Sequence, residues 1–401
     1  MIETIALREY ESVEIPLMDG QLRGLIAADV TKAISIGAAG GGSYRLTAGS
    51  KIGAVVSPSL SVLIRPKIEL ENVFLMLGVS VPTYSARTFG FDTAGGLLPA
   101  MAEVFAHAVD EATVRGVLRG YRGTEERLVA PRGRIDITQQ LKRPATPIPV
   151  ACRFDEHTAD ILLNRALLAA VNRLIRVPGL SPQLRERLFR LRPRFEEVAA
   201  VEVPPETLDR WKPGRLDRHY ETAVRLASMI LRNLTLQDQF GGQRSASFTI
   251  DMNDVFQAFV ADRLALYLRG RLTVREEPPV LLAVNATRTM RPDIVVECAG
   301  DAVYVGDSKY KLSGGQARIN DYYQLLAYTT VMGLDEGVLI YCQDTEDKPD
   351  HPLVVRNIAK KLITYRLPMA GSVESVEQAL EDLAWWIHDR AILRALRSEA
   401  V

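Results

Sequence analysis

Short segments in which hydrophobic and polar residues alternate fill the first 80 residues of the chain. Side chains of a strand point to two faces in turn, so this two-residue period predicts strands with one buried face. Turn-forming residues separate the segments, which keeps each strand short. We predict a small β domain over residues 1–80, with strands at 4–7, 12–16, 33–36, 44–48, 52–56 and 61–64.

Hydrophobic residues recur with the period of a helix from residue 81 to about residue 250. An apolar residue at every third or fourth position forms one stripe along a helix, and this spacing predicts amphipathic helices. Proline-rich stretches at 142–149 and 192–213 mark connections between them. We expect a mainly helical region over residues 81–250, with helices at 98–121, 157–175, 182–191 and 217–233.

Helical and alternating segments interchange from residue 251 to residue 401. Their order is a helix at 253–269, strands at 272–275, 291–296 and 302–307, a helix from 320, strands at 337–341 and 352–356, and a helix at 373–397. This order is typical of a mixed sheet with helices on both faces. We therefore predict a C-terminal α/β domain over residues 251–401 in a multidomain chain. Trp385 and Trp386 are adjacent on the last helix, so only one of them can face the core.

The composition describes an ordinary globular protein, and its zero net charge is uninformative to mildly unfavourable for DNA binding. Of the 401 residues 47% are hydrophobic, and 49 basic residues balance 49 acidic ones. No apolar run is long enough for a transmembrane helix, and the first residues do not resemble a signal peptide. The three cysteines are far apart and show no zinc-ligand spacing with the five histidines. We expect free thiols and a cytoplasmic location.

Charged residues stand at the ends of two predicted strands that form a hairpin. Asp293 opens the first strand, and Asp307 and Lys309 close the second. Because strand side chains alternate, Asp307 and Lys309 point to one face, together with Val303 and Val305. β-branched residues flank both acids, and a turn containing Gly and Asp joins the strands. The pattern predicts that two carboxylates and an amine meet at one edge of a sheet.

Two converging carboxylates can hold a hard divalent cation, since Mg²⁺ prefers oxygen ligands and keeps several waters. Such an ion offsets the charge that builds on a phosphate during hydrolysis. Asp293 and Asp307 are the candidate metal ligands, with the backbone carbonyl of Ser308 as a third, and Mn²⁺ can substitute for Mg²⁺. Lys309 is the candidate group for orienting the attacking water. The alternative is a solvated hairpin face, on which Lys309 merely pairs with Asp307.

The predicted helix that begins at residue 320 carries Gln324 and Tyr328, four positions apart and therefore on one face. Gln324 would lie near the metal or a DNA phosphate, and Tyr328 would orient it. The alternative is that both residues only pack the helix against the sheet.

Taken in this order, Pro292-Asp293, Asp307-Ser308-Lys309 and the Gln-x-x-x-Tyr helix resemble the PD-(D/E)xK nuclease fold. Further stretches make the chain similar to the McrC family, the nuclease subunit of McrBC-type modification-dependent restriction systems. They are 64–68 with 72–77, 132–136, 164–165 and 251–260.

The resemblance implies a Mg²⁺-dependent DNA endonuclease that is active with an AAA+ GTPase hexamer resembling McrB. It also implies double-stranded DNA that is methylated or otherwise modified as the substrate. One position departs from the family, whose helix usually carries Glu where this chain has Gln257. Gln257 would then serve as a neutral oxygen ligand of the metal, or the metal is bound more weakly.

A glycine-rich segment, residues 37–43, lies between two predicted strands of the first domain. It lacks the Gly-Lys-Ser/Thr ending of a phosphate-binding loop, so we expect the chain itself to bind no nucleotide. From its composition the segment is a flexible hairpin tip. The resemblance to McrC implies instead a finger that reaches the McrB motor, with Arg45 and Lys51 on its return arm as candidate partner contacts.

Two groups of arginines are candidates for DNA contact. Arg132 and Arg134 could grip a phosphate, but Arg134 could equally pair with Asp136 and fix the loop. Seven arginines fall between positions 173 and 194, which indicates either a DNA-facing surface or a pair of solvated helices.

Two functions are consistent with these residues. The first is a metal-dependent endonuclease that acts in complex with its partner. The second is a non-catalytic adaptor that stimulates an NTPase partner and binds DNA through a decayed nuclease fold, which Gln257 favours. The presence together of Asp293, Asp307 and Lys309 favours the endonuclease.

Overall fold

The computed structural model describes residues 3–79, 96–142, 148–238, 244–283, 286–310, 319–343 and 352–399. Its first elements are β1 (Glu3–Arg8), β2 (Ser12–Pro16), α1 (Asp19–Ala28), β3 (Ile34–Gly40), β4 (Ser43–Ala48), β5 (Lys51–Val56), β6 (Leu60–Arg65) and α2 (Leu70–Met76). All six predicted strands of this part are confirmed. Helix α1 was missed because only Leu25 and Ala28 are buried in it, which leaves almost no apolar stripe.

The middle of the chain holds both helices and strands. They are α3 (Leu97–Thr113), β7 (Gly120–Leu128), β8 (Arg134–Ile135), α4 (Ile137–Leu141), β9 (Val150–Thr158), α5 (Leu162–Ile175), α6 (Pro182–Leu191), α7 (Glu221–Asn233), β10 (Leu234–Asp238) and β11 (Arg244–Asp251). The predicted helices at 98–121 and 157–175 are too long, because their outer ends belong to the antiparallel pair β7 and β9. Most side chains of these two strands are exposed or half-buried, so no hydrophobic period marks them in the sequence.

The rest of the chain alternates helices and strands. They are α8 (Met252–Tyr267), β12 (Thr273–Glu276), β13 (Val280–Ala283), β14 (Ala286–Met290), β15 (Ile294–Cys298), β16 (Asp301–Lys309), α9 (Ile319–Val331), β17 (Glu336–Gln343), β18 (Leu353–Val354), β19 (Lys361–Pro368) and α10 (Val373–Glu399). None of the helices described above is both long and apolar enough to cross a membrane.

Six of these strands form one sheet in the order β12-β15-β16-β17-β19-β18. β16, β17 and β19 run parallel to one another, whereas the outer neighbours pair antiparallel. Helix α9 packs on one face, and α8 and α10 pack on the other. The predicted mixed sheet with helices on both faces is confirmed.

Strands from two distant parts of the chain form the N-terminal sheet, in the order β1-β6-β5-β11-β10. β11 pairs antiparallel with β5, although the sequence placed its residues in a helical region. Residues 81–250 are therefore not mainly helical throughout. Ser245, Ser247 and Thr249 of β11 are buried polar residues, so both of its faces are covered and the expected apolar-polar alternation is lost.

One hydrophobic core joins these parts of the molecule. It extends from β5 through α3, α5 and α7 to α8 and α10. Asn72 of α2 adds a buried polar contact, since its side-chain amide donates to the carbonyl oxygens of Met369 and Gly371 at 2.9 and 3.1 Å. The N-terminal sheet and the C-terminal sheet are therefore packed into one structure.

A β-bulge in the C-terminal sheet corrects one predicted orientation. The register between β15 and β16 shifts between Val296 and Glu297, which leaves Val303 as the extra residue. Val303 packs toward α10, whereas Val305 packs toward α9. The expectation that these two valines share a face is wrong, because an inserted residue breaks the two-residue period.

The two adjacent tryptophans lie on different sides of α10, as expected. Trp386 packs against Tyr304 and Tyr365 in the core, with ring centroids 6.3 and 5.2 Å apart. Trp385 is 38% exposed, and the guanidinium of Arg271 lies 4.8 Å from its ring. The core position therefore belongs to Trp386.

Candidate active site

The two acids meet where β15 begins and β16 approaches its end. Ile294 pairs with Gly306, and continuing this antiparallel register places Asp293 opposite Asp307. Both side chains are buried, at 7% and 0% exposure. Asp293 Oδ2 accepts hydrogen bonds from the backbone N–H of Ser308 at 2.8 Å and from its hydroxyl at 3.0 Å. These bonds fix the Asp293 carboxylate against β16.

Asp307 is a fully buried carboxylate with few partners. The Lys309 ammonium lies 2.8 Å from Asp307 Oδ2, in ion-pairing contact. Among the residues that the structure describes, Asp307 Oδ1 has no hydrogen-bond partner. Burial of a charged group without hydrogen bonds is costly, and a bound cation would remove that cost.

The donor set at this edge suits a hard metal ion. Within the described ranges, no group of three or more His, Cys, Asp and Glu side chains is arranged to hold a metal. Mg²⁺ does not need such a cage, because one or two carboxylates with several waters suffice. Asp293, Asp307 and the carbonyl of Ser308 provide oxygen ligands only, and the unpartnered Oδ1 of Asp307 fits a cation.

Burial and neighbouring charges shift the titration of all three charged groups. Burial, followed by the charge of Asp293, raises the pKa of Asp307 to about 7. Burial raises the pKa of Asp293 as well, although the hydrogen bond from Ser308 N–H opposes the shift. Burial alone would lower the pKa of Lys309, but the Asp307 carboxylate outweighs it and raises this pKa overall. Lys309 is therefore an ammonium group at neutral pH, suited to orienting a water or a phosphate oxygen.

Helix α9 brings Gln324 and Tyr328 to the same edge of the sheet. Tyr328 Oη accepts a hydrogen bond from Gln324 Nε2 at 2.7 Å and donates to the carbonyl of Arg291 at 3.1 Å. Burial, together with the charges of Asp307 and Asp293, raises the pKa of Tyr328, so its hydroxyl lies near both acids. The contact agrees with the expected orientation of Gln324 by Tyr328. Their roles in catalysis stay predictions.

Asp321 is an acidic residue of this site that sequence reasoning missed. It is buried at 6% exposure in the first turn of α9, and it accepts a hydrogen bond from Tyr341 Oη at 2.6 Å. Burial and Asp293 dominate the raised pKa of Asp307, and the charge of Asp321 adds to it. Asp321 precedes Gln324 by three residues, so both lie on one helix face. That spacing was the available signal.

Gln257 of α8 is connected to the acids through a second missed residue, Glu277. Its side-chain amide donates to Glu277 Oε1 at 2.8 Å. The backbone N–H of Glu277 donates to the carbonyl of Asp293 at 3.1 Å, and its charge adds to the burial that raises the Asp293 pKa. No motif marks Glu277 in the sequence. Metal ligation by Gln257 stays a prediction, since the structure pairs its amide with a carboxylate.

Arg132 and Arg134 lie beside an open cleft of about 770 Å³ in the sheet of β7, β9 and β8. The guanidinium of Arg132 stacks 4.8 Å from the centre of the Phe154 ring. The alternative pairing of Arg134 with Asp136 is wrong, because Asp136 pairs with Arg153 at 2.8 Å and caps α4. DNA contact by Arg132 and Arg134 stays a prediction.

Most of the seven arginines between 173 and 194 are engaged within the chain. Arg187 binds Glu103 and Asp110 at 3.0 and 3.2 Å, and Arg194 binds Asp110 at 2.7 Å. Three more bind main-chain carbonyls or Glu186, namely Arg173, Arg185 and Arg190. These contacts favour a structural role over a DNA-facing surface.

The glycine-rich segment forms the tip of the β3-β4 hairpin in a three-stranded sheet. Residues 40–42 have φ angles of +93, +59 and +81°, which glycine adopts without strain. Arg45 pairs with Glu14 on the neighbouring strand β2. Lys51 lies outside the hairpin, in β5, and donates to the carbonyl of Thr31 at 2.6 Å. Partner contact by Arg45 and Lys51 stays a prediction.

The fold and this site define a multidomain α/β protein with a buried pair of acids at the edge of a mixed sheet. A family model, described as McrBC 5-methylcytosine restriction system component, matches residues 46–342. The chain belongs to this family, and the resemblance to McrC drawn from its motifs is confirmed. Among curated proteins, no sequence matches this chain.

The chain resembles chains of two solved structures. One is a chain of the refined half-complex from the tetradecameric assembly of Thermococcus gammatolerans McrB AAA+ hexamers with bound McrC. It is 17% identical, with a TM-score of 0.63, over 96% of this chain and 100% of that chain. The other is a chain of the cryo-EM structure of the Thermococcus gammatolerans McrBC complex. It is 19% identical, with a TM-score of 0.45, over 68% of this chain and 89% of that chain. The first similarity extends over the whole architecture.

Proposed function

We propose that this chain is the nuclease subunit of a McrBC-type restriction system and that its C-terminal sheet has the PD-(D/E)xK fold. It cuts double-stranded, modified DNA with Mg²⁺ or Mn²⁺ when it is assembled with a GTP-driven AAA+ hexamer resembling McrB. The observation that carries the proposal is Asp307, a fully buried carboxylate beside Asp293 and Lys309, whose Oδ1 has no hydrogen-bond partner among the described residues. Family membership and the fold shared with a chain from a McrB–McrC assembly support the choice of partner.

The residues at this edge of the sheet have different roles in hydrolysis. Asp293, Asp307 and the Ser308 carbonyl would hold Mg²⁺, which when bound offsets charge on the phosphate. Lys309 orients the water that attacks phosphorus, and its ammonium faces the charge that develops there. Gln324, held by Tyr328, positions a phosphate oxygen. The bond from phosphorus to the 3′ oxygen breaks, and the 3′ oxygen takes up a proton. The products are a 5′-phosphate and a 3′-hydroxyl.

Cleavage of a methylated plasmid tests this proposal. The purified chain is combined with its AAA+ partner, GTP and Mg²⁺, and the rate of linearisation is measured. We expect Asp307→Ala to lower the rate by more than about 100-fold, since loss of even an outer-shell partner of a metal costs roughly 10–100-fold. Asp301→Ala is the matched control, because Asp301 is an exposed acid at the other end of β16. Unchanged cleavage by Asp307→Ala would remove the site assignment.

The second candidate function is a non-catalytic adaptor that stimulates the GTPase activity of the partner and binds DNA. The observation in its favour is Gln257, at a position where relatives are expected to carry an acid. Its side-chain amide donates a hydrogen bond to Glu277. The same assay separates the two functions. GTPase stimulation without any wild-type cleavage in Mg²⁺ or Mn²⁺ would establish the adaptor.

A further inference from the structure

We propose that Tyr310, held by Glu9 and Lys67 of the N-terminal part, is a positioning residue for Lys309. This inference rests on the proposed nuclease function. It adds that Lys67 and Glu9, which lie 243 and 301 positions before Tyr310 in the chain, hold the end of strand β16 in place. The site would then depend on the N-terminal part for its geometry as well as for any partner contact.

The N-terminal part contacts Tyr310 at its hydroxyl, its ring and its backbone carbonyl. Its side chain is fully buried, and its hydroxyl donates to Glu9 Oε2 at 3.1 Å. The Lys67 ammonium donates to the Tyr310 carbonyl oxygen at 3.3 Å and also lies 4.2 Å from the centre of its ring. Glu9 and Lys67, which we call the clamp, also contact each other, because the backbone N–H of Lys67 donates to Glu9 Oε2 at 2.9 Å. Hydroxyl, ring and backbone of Tyr310 are therefore all fixed by the N-terminal part.

The position of this anchor in the strand connects it to the chemistry. Tyr310 directly follows Lys309, the last residue of β16. Successive side chains of a strand point to opposite faces, so the clamp holds β16 from behind while Lys309 faces Asp307. A movement of Tyr310 would displace the Lys309 ammonium, and misplacement of a reacting group by about 1 Å can cost roughly 100-fold in rate.

Packing alone does not account for this arrangement. Glu9 is 7% exposed, and its Oε1 has no hydrogen-bond partner among the described residues. A buried carboxylate oxygen without a partner costs stability, and a leucine would fill the same space at no such cost. The clamp therefore keeps a polar contact where an apolar one would stabilise the fold more.

The test uses the full chain with its AAA+ partner, GTP and Mg²⁺, and compares Lys67→Met and Tyr310→Phe with wild type. We expect kcat for DNA cleavage to fall by about tenfold or more, with KM for DNA and Mn²⁺ affinity unchanged, because Asp293 and Asp307 are untouched. Lys309→Met should show the same pattern more strongly. Lys67→Arg should restore part of the rate, and the exposed Lys212→Met is the matched control.

Each outcome decides the matter. Wild-type kcat in both clamp variants would overturn the positioning role and leave the nuclease assignment standing. A joint loss of Mn²⁺ affinity and thermal stability together with cleavage would show a purely structural role, and would also overturn it. Absence of cleavage by the wild-type chain would remove the proposed function itself, and the inference with it.

Discussion

Two buried aspartates in different parts of the molecule differ in the hydrogen bonding of their carboxylates and in the direction of their pKa shifts. Asp160 accepts hydrogen bonds from the guanidinium groups of Arg122 and Arg165 and from the backbone N–H of Ala199. Hydrogen bonding from Arg165, above all, holds the pKa of Asp160 well below its usual range. Asp307 binds one ammonium, that of Lys309, its Oδ1 has no hydrogen-bond partner among the described residues, and burial raises its pKa to about 7.

The difference separates an acid that stabilises the fold from one that is kept for chemistry. A buried charge with complete hydrogen bonding contributes to a fixed structure, whereas an unsatisfied one costs stability and persists where function requires it. The family motif at 164–165 belongs to the first kind. Arg165 holds Asp160, and the Asn164 amide donates to the carbonyls of Leu118 and Ala159, both at 2.7 Å.

Replacing Asp160 should have the largest effect on stability. Asp160→Asn leaves the partly buried Arg165 without its counter-charge and Arg122 with only Glu156, 3.7 Å away, which costs on the order of 3 kcal/mol of unfolding free energy. The lowered pKa of Asp160 means that its contribution is present above the unfolded value of about 4 and is lost as pH falls below it. Urea unfolding at neutral and at acidic pH measures this. The exposed Asp155→Asn is the control, and equal stability of the two variants would contradict the assignment.

Replacing Asp307 should change stability in the other direction. The raised pKa of Asp307 means that the folded state is penalised as pH rises from about 4 to about 7, where the buried carboxyl ionises. Asp307→Asn removes the penalty, so without Mg²⁺ it should be more stable than wild type by roughly 1–3 kcal/mol at about pH 8. The two proteins should converge near pH 4, and added Mg²⁺ should narrow the gap by binding wild type alone. A less stable variant at alkaline pH would refute the comparison between the two acids.

Local patterns predicted the parts of the site that lie close in sequence. The two-residue period placed Asp307 beside Lys309, and the helical period placed Gln324 beside Tyr328. The same periods could not reveal contacts between distant segments. The link from Glu9 to Tyr310 spans 301 positions, and nothing in either local sequence encodes it.

The fold shows the same limit. Strands with one buried face were recognised, because their apolar residues repeat every second position. Most side chains of β7 and β9 are exposed or half-buried, and β11 is buried on both faces, so none of these strands carries that period. The bulge at Val303 and the pairing of β11 with β5 depend on tertiary packing, which a local period does not contain.

Two buried tyrosines allow the finest test of the comparison. Tyr220 Oη accepts a hydrogen bond from the backbone N–H of Leu118 at 2.7 Å in the central region, and Tyr328 Oη joins Gln324 to the Arg291 carbonyl at the site. Tyr→Phe at either position removes one hydroxyl and should cost roughly 0.5–1.5 kcal/mol of unfolding free energy. Only Tyr328→Phe should also slow DNA cleavage, by about tenfold, because only there does the hydroxyl orient a side chain beside the acids. Equal cleavage rates in the two variants would reduce Gln324 and Tyr328 to packing residues of α9, and would confine the chemistry to Asp293, Asp307 and Lys309.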